Sequence, residues 1–191
     1  MVNDAENQTK LSPVSARPRF WRAWTFALCG TGLLVLLVTL PPFVGVEART
    51  VLMHGFASVC HQIPTRSPHI DGVALAVCHR CYGIYWGLPL AVLGFLGLYR
   101  WDPFLRRHAP WVLAASVVPL GIDWLGDVLG FWINTPHSRM ITGGFFGIVA
   151  GYYLARGLIE AMAPKRATEA VVHAEPPQEA EGFSEERGHV S

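Results

Sequence analysis

Four long apolar stretches constrain this chain more than any other feature of its sequence. A helix needs about 20 mainly apolar residues to cross the hydrocarbon core of a bilayer. The stretches cover approximately residues 24–46, 82–99, 110–134 and 140–162. We therefore predict an all-α, polytopic membrane protein built as a bundle of four transmembrane helices.

The composition supports this prediction. Only 15% of the residues are charged and 51% are apolar, whereas a soluble domain has about 25% charged residues. No basic, aromatic-rich patch of the kind that binds nucleic acid is present. The predicted partner is therefore the lipid bilayer, with a lipid or a small molecule as the substrate, and the sequence does not set the oligomeric state.

The positions of Lys and Arg predict the orientation, because these residues are enriched in cytoplasmic loops. The basic residues next to the spans lie before the first, between the second and third, and after the fourth: Lys10, Arg17, Arg19, Arg22, Arg100, Arg106, Arg107, Lys165 and Arg166. We expect a multi-pass protein of the bacterial inner membrane with both termini in the cytoplasm. The loop 47–81 and the turn 134–139 then face outward.

Three regions follow along the chain. Residues 1–20 form a cytoplasmic N-terminal tail, residues 21–163 the transmembrane domain, and residues 164–191 a C-terminal tail. The last segment is rich in Glu, Ala and Pro and has little apolar surface to bury, so we expect it to be disordered and cytoplasmic.

Small residues at four-residue spacing mark the predicted contacts between helices. Such stripes let two helix backbones approach closely inside a membrane. The stripes are Gly83, Gly87 and Ala91 in the second span, and Gly143, Gly147 and Gly151 in the fourth.

Two acidic residues, Asp123 and Asp127, interrupt the third span. They are four residues apart and therefore share a helix face. An ionisable residue at mid-membrane costs about 2.5–3.5 kcal/mol on insertion scales, so it usually has a partner inside the bundle. Candidate partners are Arg66, Arg80, His137 and Arg139. The pair either fixes helix packing or forms a proton-handling, metal-binding or substrate-binding pocket.

Cysteine and histidine cluster in the predicted outer loop, as Cys60-His61 and as Cys78-His79-Arg80-Cys81. A CxxC pair can direct two sulfurs at one centre, and zinc is usually held by four Cys or His ligands. We predict a zinc-like site formed by Cys60, His61, Cys78 and Cys81.

Disulfide chemistry is the alternative, because thiols outside the cytoplasm tend to oxidise. Either Cys78 and Cys81 form a static disulfide, or Cys60 exchanges with that pair. The chain partly resembles the quinone-linked membrane oxidases of the disulfide bond formation protein B type, which have four spans and a CxxC entering the second. Those proteins carry a second cysteine pair in the next outer loop, whereas this chain has NTPHSR there.

A combined pattern of residues resembles the prokaryotic membrane family named domain of unknown function 2085. The pattern consists of Cys60-His61-Gln62, Pro64-Thr65-Arg66-Ser67, Asp71-Gly72, Cys78-His79-Arg80-Cys81-Tyr82-Gly83-Ile84-Tyr85, Gly87, Asp123, Asn134, Arg139, Thr142-Gly143 and Gly147. The resemblance implies a small helical membrane protein with the cysteine motif at a membrane face. It also implies that one site is shared by Cys60, His61, Arg66, Cys78, Arg80, Cys81, Asp123 and Arg139.

Three functions remain open from the sequence. In a metal-dependent membrane enzyme, Asp123 and Arg139 are the candidate catalytic residues, and Arg66, Arg80 and Asp127 bind a ligand or anion. The second function is a quinone-linked thiol–disulfide oxidoreductase, and the third a non-enzymatic transport or assembly component. The corresponding cofactors are zinc, a quinone or none.

Overall fold

The computed structural model describes residues 17–98 and 101–162, and its side chains from Phe20 onward. The helices of these residues are α1 (Arg17–Thr39), α2 (Val46–Ala57), α3 (His79–Leu98), α4 (Asp102–Arg107), α5 (Ala109–Val128) and α6 (Pro136–Ala161). Short 3-10 turns cover Pro41–Phe43 and Pro64–Arg66, and β1 (His69–Ile70) pairs antiparallel with β2 (Val73–Ala74).

Within the part of the chain that the structure describes, three helices are long and apolar enough to cross a membrane: Phe20–Thr39, His79–Leu98 and Ala109–Val128. They confirm a mainly helical membrane protein and correspond to the first three predicted spans. The helix α6 covers the fourth predicted span and is longer than the others. Its glycines and the charged Arg139, Arg156 and Glu160 lower its mean hydropathy, so its role as a span stays a prediction.

Two predicted spans are shorter than expected. The first ends at Thr39 and not near Val46, because Pro41 and Pro42 form a 3-10 turn that stops the helix. The third ends at Val128 and not near Asn134, because Gly130 turns the chain with a φ of 74°. The predicted loop 47–81 contains an unexpected helix, α2.

Of the two predicted tails, the structure describes only the last residues of the N-terminal one. The helix α1 already begins at Arg17, inside the predicted N-terminal tail 1–20. The rest of that tail (1–16) and the predicted C-terminal tail (164–191) lie outside the described residues.

The glycine stripes of α3 and α6, which the sequence marks as contacts between helices, pack against each other. The helices run parallel, with Gly83 next to Met140 and Gly151 next to Leu88. A Cβ atom on Gly87 would lie 2.5 Å from the carbonyl oxygen of Gly144 and 2.7 Å from the carbonyl carbon of Gly147. These glycines therefore allow backbone-to-backbone contact between the two helices.

The other long helices pack around this pair. The helix α1 runs antiparallel to α3 and buries one of its faces. The indole Nε1 of Trp24 on α1 donates to the carbonyl oxygen of Val92 on α3 at 2.8 Å. The helix α5 packs against α6. At the end where α1 stops and α3 and α6 begin, called the cysteine end below, a second small core forms from Val38, Cys60, Ala76 and Val77.

Candidate functional site

The loop before α3 is fixed by hydrogen bonds at the cysteine end. The backbone N–H of Ala76 donates to the carbonyl oxygen of Val38 at 3.1 Å, which joins the loop to the end of α1. The side-chain amide of Gln62 donates to the carbonyl oxygens of Met53 at 2.6 Å and Ala76 at 2.8 Å. Because Gln62 bridges both sides of the loop, the neighbouring Cys60 is held close to α3.

Three cysteine sulfurs meet as a result, and the group is called the thiol cluster. The Sγ atoms of Cys60, Cys78 and Cys81 all lie within 4.8 Å of one another. Cys60 is buried, and its Sγ accepts a hydrogen bond from the backbone N–H of Cys78 at 3.2 Å. All three cysteines are free thiols. This confirms that the two separated parts of the motif come together.

The environment of Cys78 favours its thiolate. Hydrogen bonds with the thiols of Cys60 and Cys81 lower the pKa of Cys78, and backbone hydrogen bonds add to this effect against an opposing contribution from burial. A thiolate is the form of cysteine that both binds metals and attacks disulfides.

His61 does not belong to the thiol cluster, so the structure brings together three of the four predicted metal ligands and not the fourth. Its side chain is exposed, and its ring nitrogens are not part of the close group of ligand atoms. The reason is local: Gln62 adopts a φ of 50° and places its own side chain inward, so the chain turns at this point. His61 still lines the cleft next to the cluster.

Asp123 is buried and paired with Arg80. The guanidinium Nη2 of Arg80 lies 2.6 Å from the carboxylate Oδ2 of Asp123. The side-chain amide of Asn134 donates to the same Oδ2 at 3.1 Å and to the backbone carbonyl of Asp123 at 2.7 Å. Arg80 stands between the two cysteines of CHRC, so the acid is tied directly to the thiol cluster.

Asp127 has two arginine partners, also as predicted. Its Oδ2 lies 3.3 Å from Nη2 of Arg66 and 3.6 Å from Nη2 of Arg139. Its Oδ1 accepts the backbone N–H of Asn134 at 3.3 Å. His137, the other predicted partner, is exposed in the first turn of α6.

A cleft of about 450 Å³ joins the thiol cluster to the arginines. Its lining consists of Val59, Cys60, His61, Gln62, Ile63, Arg66, Cys78, Arg80, Cys81, Trp124 and Arg139. The metal-ligand candidates and all three arginines of the predicted site therefore share one cavity. The two acids lie behind the arginines and hold them.

Sequence reasoning missed the part that Asn134 and Gln62 play in building this site. Both appeared in the family pattern, but neither was assigned a contact. Asn134 is buried, and its Oδ1 accepts the indole N–H of Trp132 at 3.0 Å. A polar residue just beyond a span that contains two acids was the available signal for a hydrogen-bond partner.

The fold and the site define a class: a helical membrane protein with a thiol cluster at one end of its helices. Residues 60–153 match the family described as predicted membrane protein (DUF2085). The resemblance seen in the sequence is confirmed, and the match includes the whole thiol cluster and both acids.

The chain is also similar to an archaeal protein. The chain is 30% identical over 99 residues to an uncharacterised protein of the archaeon Methanocaldococcus jannaschii. The matched residues are 52% of this chain and 63% of that relative, so the chain spans less than two thirds of the relative's length. No solved structure matches the chain.

Proposed function

We propose that this protein is a four-span, metal-dependent membrane enzyme. Its metal is held by Cys60, Cys78 and Cys81 on the side of the membrane that faces away from the cytoplasm. The observation that carries the proposal is the convergence of three free thiols within 4.8 Å, from two separate parts of the chain. The helix α6 is the fourth span in this proposal, and both chain termini are cytoplasmic.

The thiol cluster fits a zinc ion. Zinc–sulfur bonds of about 2.3 Å in a tetrahedral site place sulfurs about 3.8 Å apart. The three Sγ atoms lie within 4.8 Å, so they need to close by about 1 Å or less. The lowered pKa of Cys78 supplies a thiolate for this purpose.

Three cysteines leave one coordination position for a further ligand, and the adjoining cleft gives access to it. Three protein ligands and one exchangeable position are the arrangement found in catalytic zinc sites, in which the metal lowers the pKa of bound water and polarises carbonyl or phosphoryl groups. Arg139 lines the cleft and is the candidate for stabilising negative charge on a substrate. Asp123 positions Arg80 from behind.

Metal content of the detergent-purified full chain tests the proposal. We expect about one zinc ion per chain in the wild type, and a loss of zinc in Cys60→Ser, Cys78→Ser and Cys81→Ser. The matched control is Cys29→Ser, because Cys29 is an exposed cysteine on α1 outside the thiol cluster. Wild-type protein without any bound transition metal would contradict the proposal.

The same thiols favour a second candidate, a quinone-linked thiol–disulfide oxidoreductase. The hydrogen bonds that lower the pKa of Cys78 also suit a nucleophilic thiol. Oxidation of the Cys78 and Cys81 thiols to a disulfide releases two electrons and two protons, which a quinone accepts to become a quinol. Thiol trapping in cells supports this candidate if the pair changes its oxidation state when quinone supply is limited. A pair with a constant redox state rejects it.

A further inference from the structure

We infer that the cleft beside the thiol cluster is a binding site for a phosphate group. The inference deepens the proposed function by naming a substrate class, and as a substrate site it rests on that function. The binding itself does not require the metal. It follows from the arginines of the cleft, their unused hydrogen-bond donors and the apolar residues beside them.

The arginines outnumber the acids that hold them. Arg66, Arg80 and Arg139 all line the cleft, and among the described residues only the two carboxylates of Asp123 and Asp127 pair with them. Arg66 and Arg139 approach the same oxygen of Asp127, at 3.3 and 3.6 Å, so neither forms the parallel two-bond pair that satisfies a guanidinium best.

Arg80 adds the most specific observation. Its Nε is buried and has no hydrogen-bond partner among the described residues, while its Nη2 is bound to Asp123. A buried donor without a partner is costly, and the residue that contains it is one of the three arginines of the cleft lining.

The lining of the cleft favours a phosphate group, which is either a free ion or part of a lipid. Three guanidiniums suit a group with several acceptor oxygens, which phosphate offers and which arginine binds through paired N–H donors. Val59, Ile63 and Trp124 line the same cleft and are 62%, 43% and 50% exposed. These exposed apolar side chains can cover the acyl part of a phosphate-bearing lipid, and the 450 Å³ volume exceeds the needs of a free ion.

Equilibrium binding to the detergent-purified full chain distinguishes the two sources of phosphate. The probes are inorganic phosphate and dioctanoyl phosphatidic acid, with dioctanoylglycerol as the control that has the same acyl chains and no phosphate. Binding of either phosphate probe above the control supports the inference and identifies the source. Equal binding of dioctanoylglycerol and the phosphatidic acid, or no binding of either phosphate probe, overturns it.

Arginine variants then assign the binding to the cleft. We expect Arg66→Gln and Arg80→Gln each to weaken phosphate binding about ten-fold or more, since each removes a charged hydrogen-bond donor. Arg66 is 45% exposed at its side chain, so its variant is suitable even where Arg80→Gln fails to fold. Arg107→Gln on α4 is the charge-matched control. Unchanged affinity in folded Arg66→Gln protein would overturn the assignment.

The metal proposal and this inference can fail separately. Cys78→Ser removes a thiol ligand and leaves all three arginines in place. Phosphate binding that persists in metal-free Cys78→Ser supports the anion site by itself. Phosphate binding that vanishes in this variant, while the variant remains folded and the arginines are intact, contradicts the claim that the arginines suffice.

Discussion

At the residue scale, the buried ion pair between Arg80 and Asp123 connects the thiol cluster to the acidic residues of α5. The side chains of Arg80 and Asp123 are only 18% and 9% exposed, and the nitrogen and oxygen lie 2.6 Å apart. Burying two charges is costly, and removing one partner leaves the other charge buried and uncompensated. Asn134 donates one hydrogen bond to the same carboxylate and one to the backbone carbonyl of Asp123, so the pair has one defined geometry.

The first prediction concerns this pair. We expect Asp123→Asn to lower the free energy of unfolding by about 3 kcal/mol, because the Arg80 charge loses its counter-ion. Thermal unfolding of the detergent-purified protein measures the effect. Asp71→Asn is the control, since Asp71 is exposed and its φ of 50° is tolerated by Asn.

A double variant separates the charge effect from general damage. Asp123→Asn combined with Arg80→Gln removes both charges, so it should be less destabilised than the sum of the two single variants. Strict additivity of the two changes would show that the ion pair contributes nothing beyond each side chain alone.

The arginine partners of the two acids were easier to predict from the sequence than the position of His61 relative to the thiol cluster. A charge inside an apolar span demands a counter-charge, so the few arginines beside the span were sufficient to identify the partners of Asp123 and Asp127. The position of His61 depends on the backbone turn at Gln62, which no spacing rule reveals. Ligand spacing shows which residues can meet, whereas the turn decides which of them do.

At the element scale, the glycines of α3 and α6 determine how closely the helices pack. Predicting this contact from sequence was possible because small residues at four-residue spacing form a continuous groove on one helix face. Pro41 and Pro42 indicated that the first span ends or kinks there, whereas the end of the third span was harder to predict. Apolar character continues past Thr39 and Val128, while Pro41, Pro42 and Gly130 end the regular backbone.

The second prediction concerns the contact between α3 and α6. We expect Gly87→Ala to destabilise the protein by about 1–3 kcal/mol, because the added methyl group meets the backbone of Gly144 and Gly147. Gly94→Ala on the same helix is the matched control, since its Cβ has no neighbour within 4 Å. Unfolding midpoints of the two variants give the comparison, and equal midpoints would contradict close backbone packing at Gly87.

At the scale of the whole molecule, the number of spans decides which side of the membrane receives the C-terminus. Three helices meet the length and hydropathy of a span, and α6 packs against three long helices of the described chain. With four spans the two termini lie on the same side, whereas with three they lie on opposite sides.

The third prediction tests this topology with reporter fusions. Green fluorescent protein fused after residue 191 should fluoresce, since it folds in the cytoplasm, and alkaline phosphatase at the same site should be inactive. The same reporters fused within residues 58–68 should give the opposite pair of results. An active C-terminal phosphatase fusion would place α6 outside the set of membrane spans.

The first turn of α3 has a further consequence for the site. Cys78 and Cys81 turn toward Cys60, while Arg80 between them reaches Asp123 on α5. Each residue rotates a helix by about 100°, so the order Cys-His-Arg-Cys fixes the angle between the direction of the sulfurs and the direction of the guanidinium. One residue inserted before Cys81 would rotate this cysteine by about 100° around the helix axis. Its sulfur would then no longer point in the same direction relative to the guanidinium of Arg80. The site therefore depends on the spacing of these residues around the helix as well as on their identity.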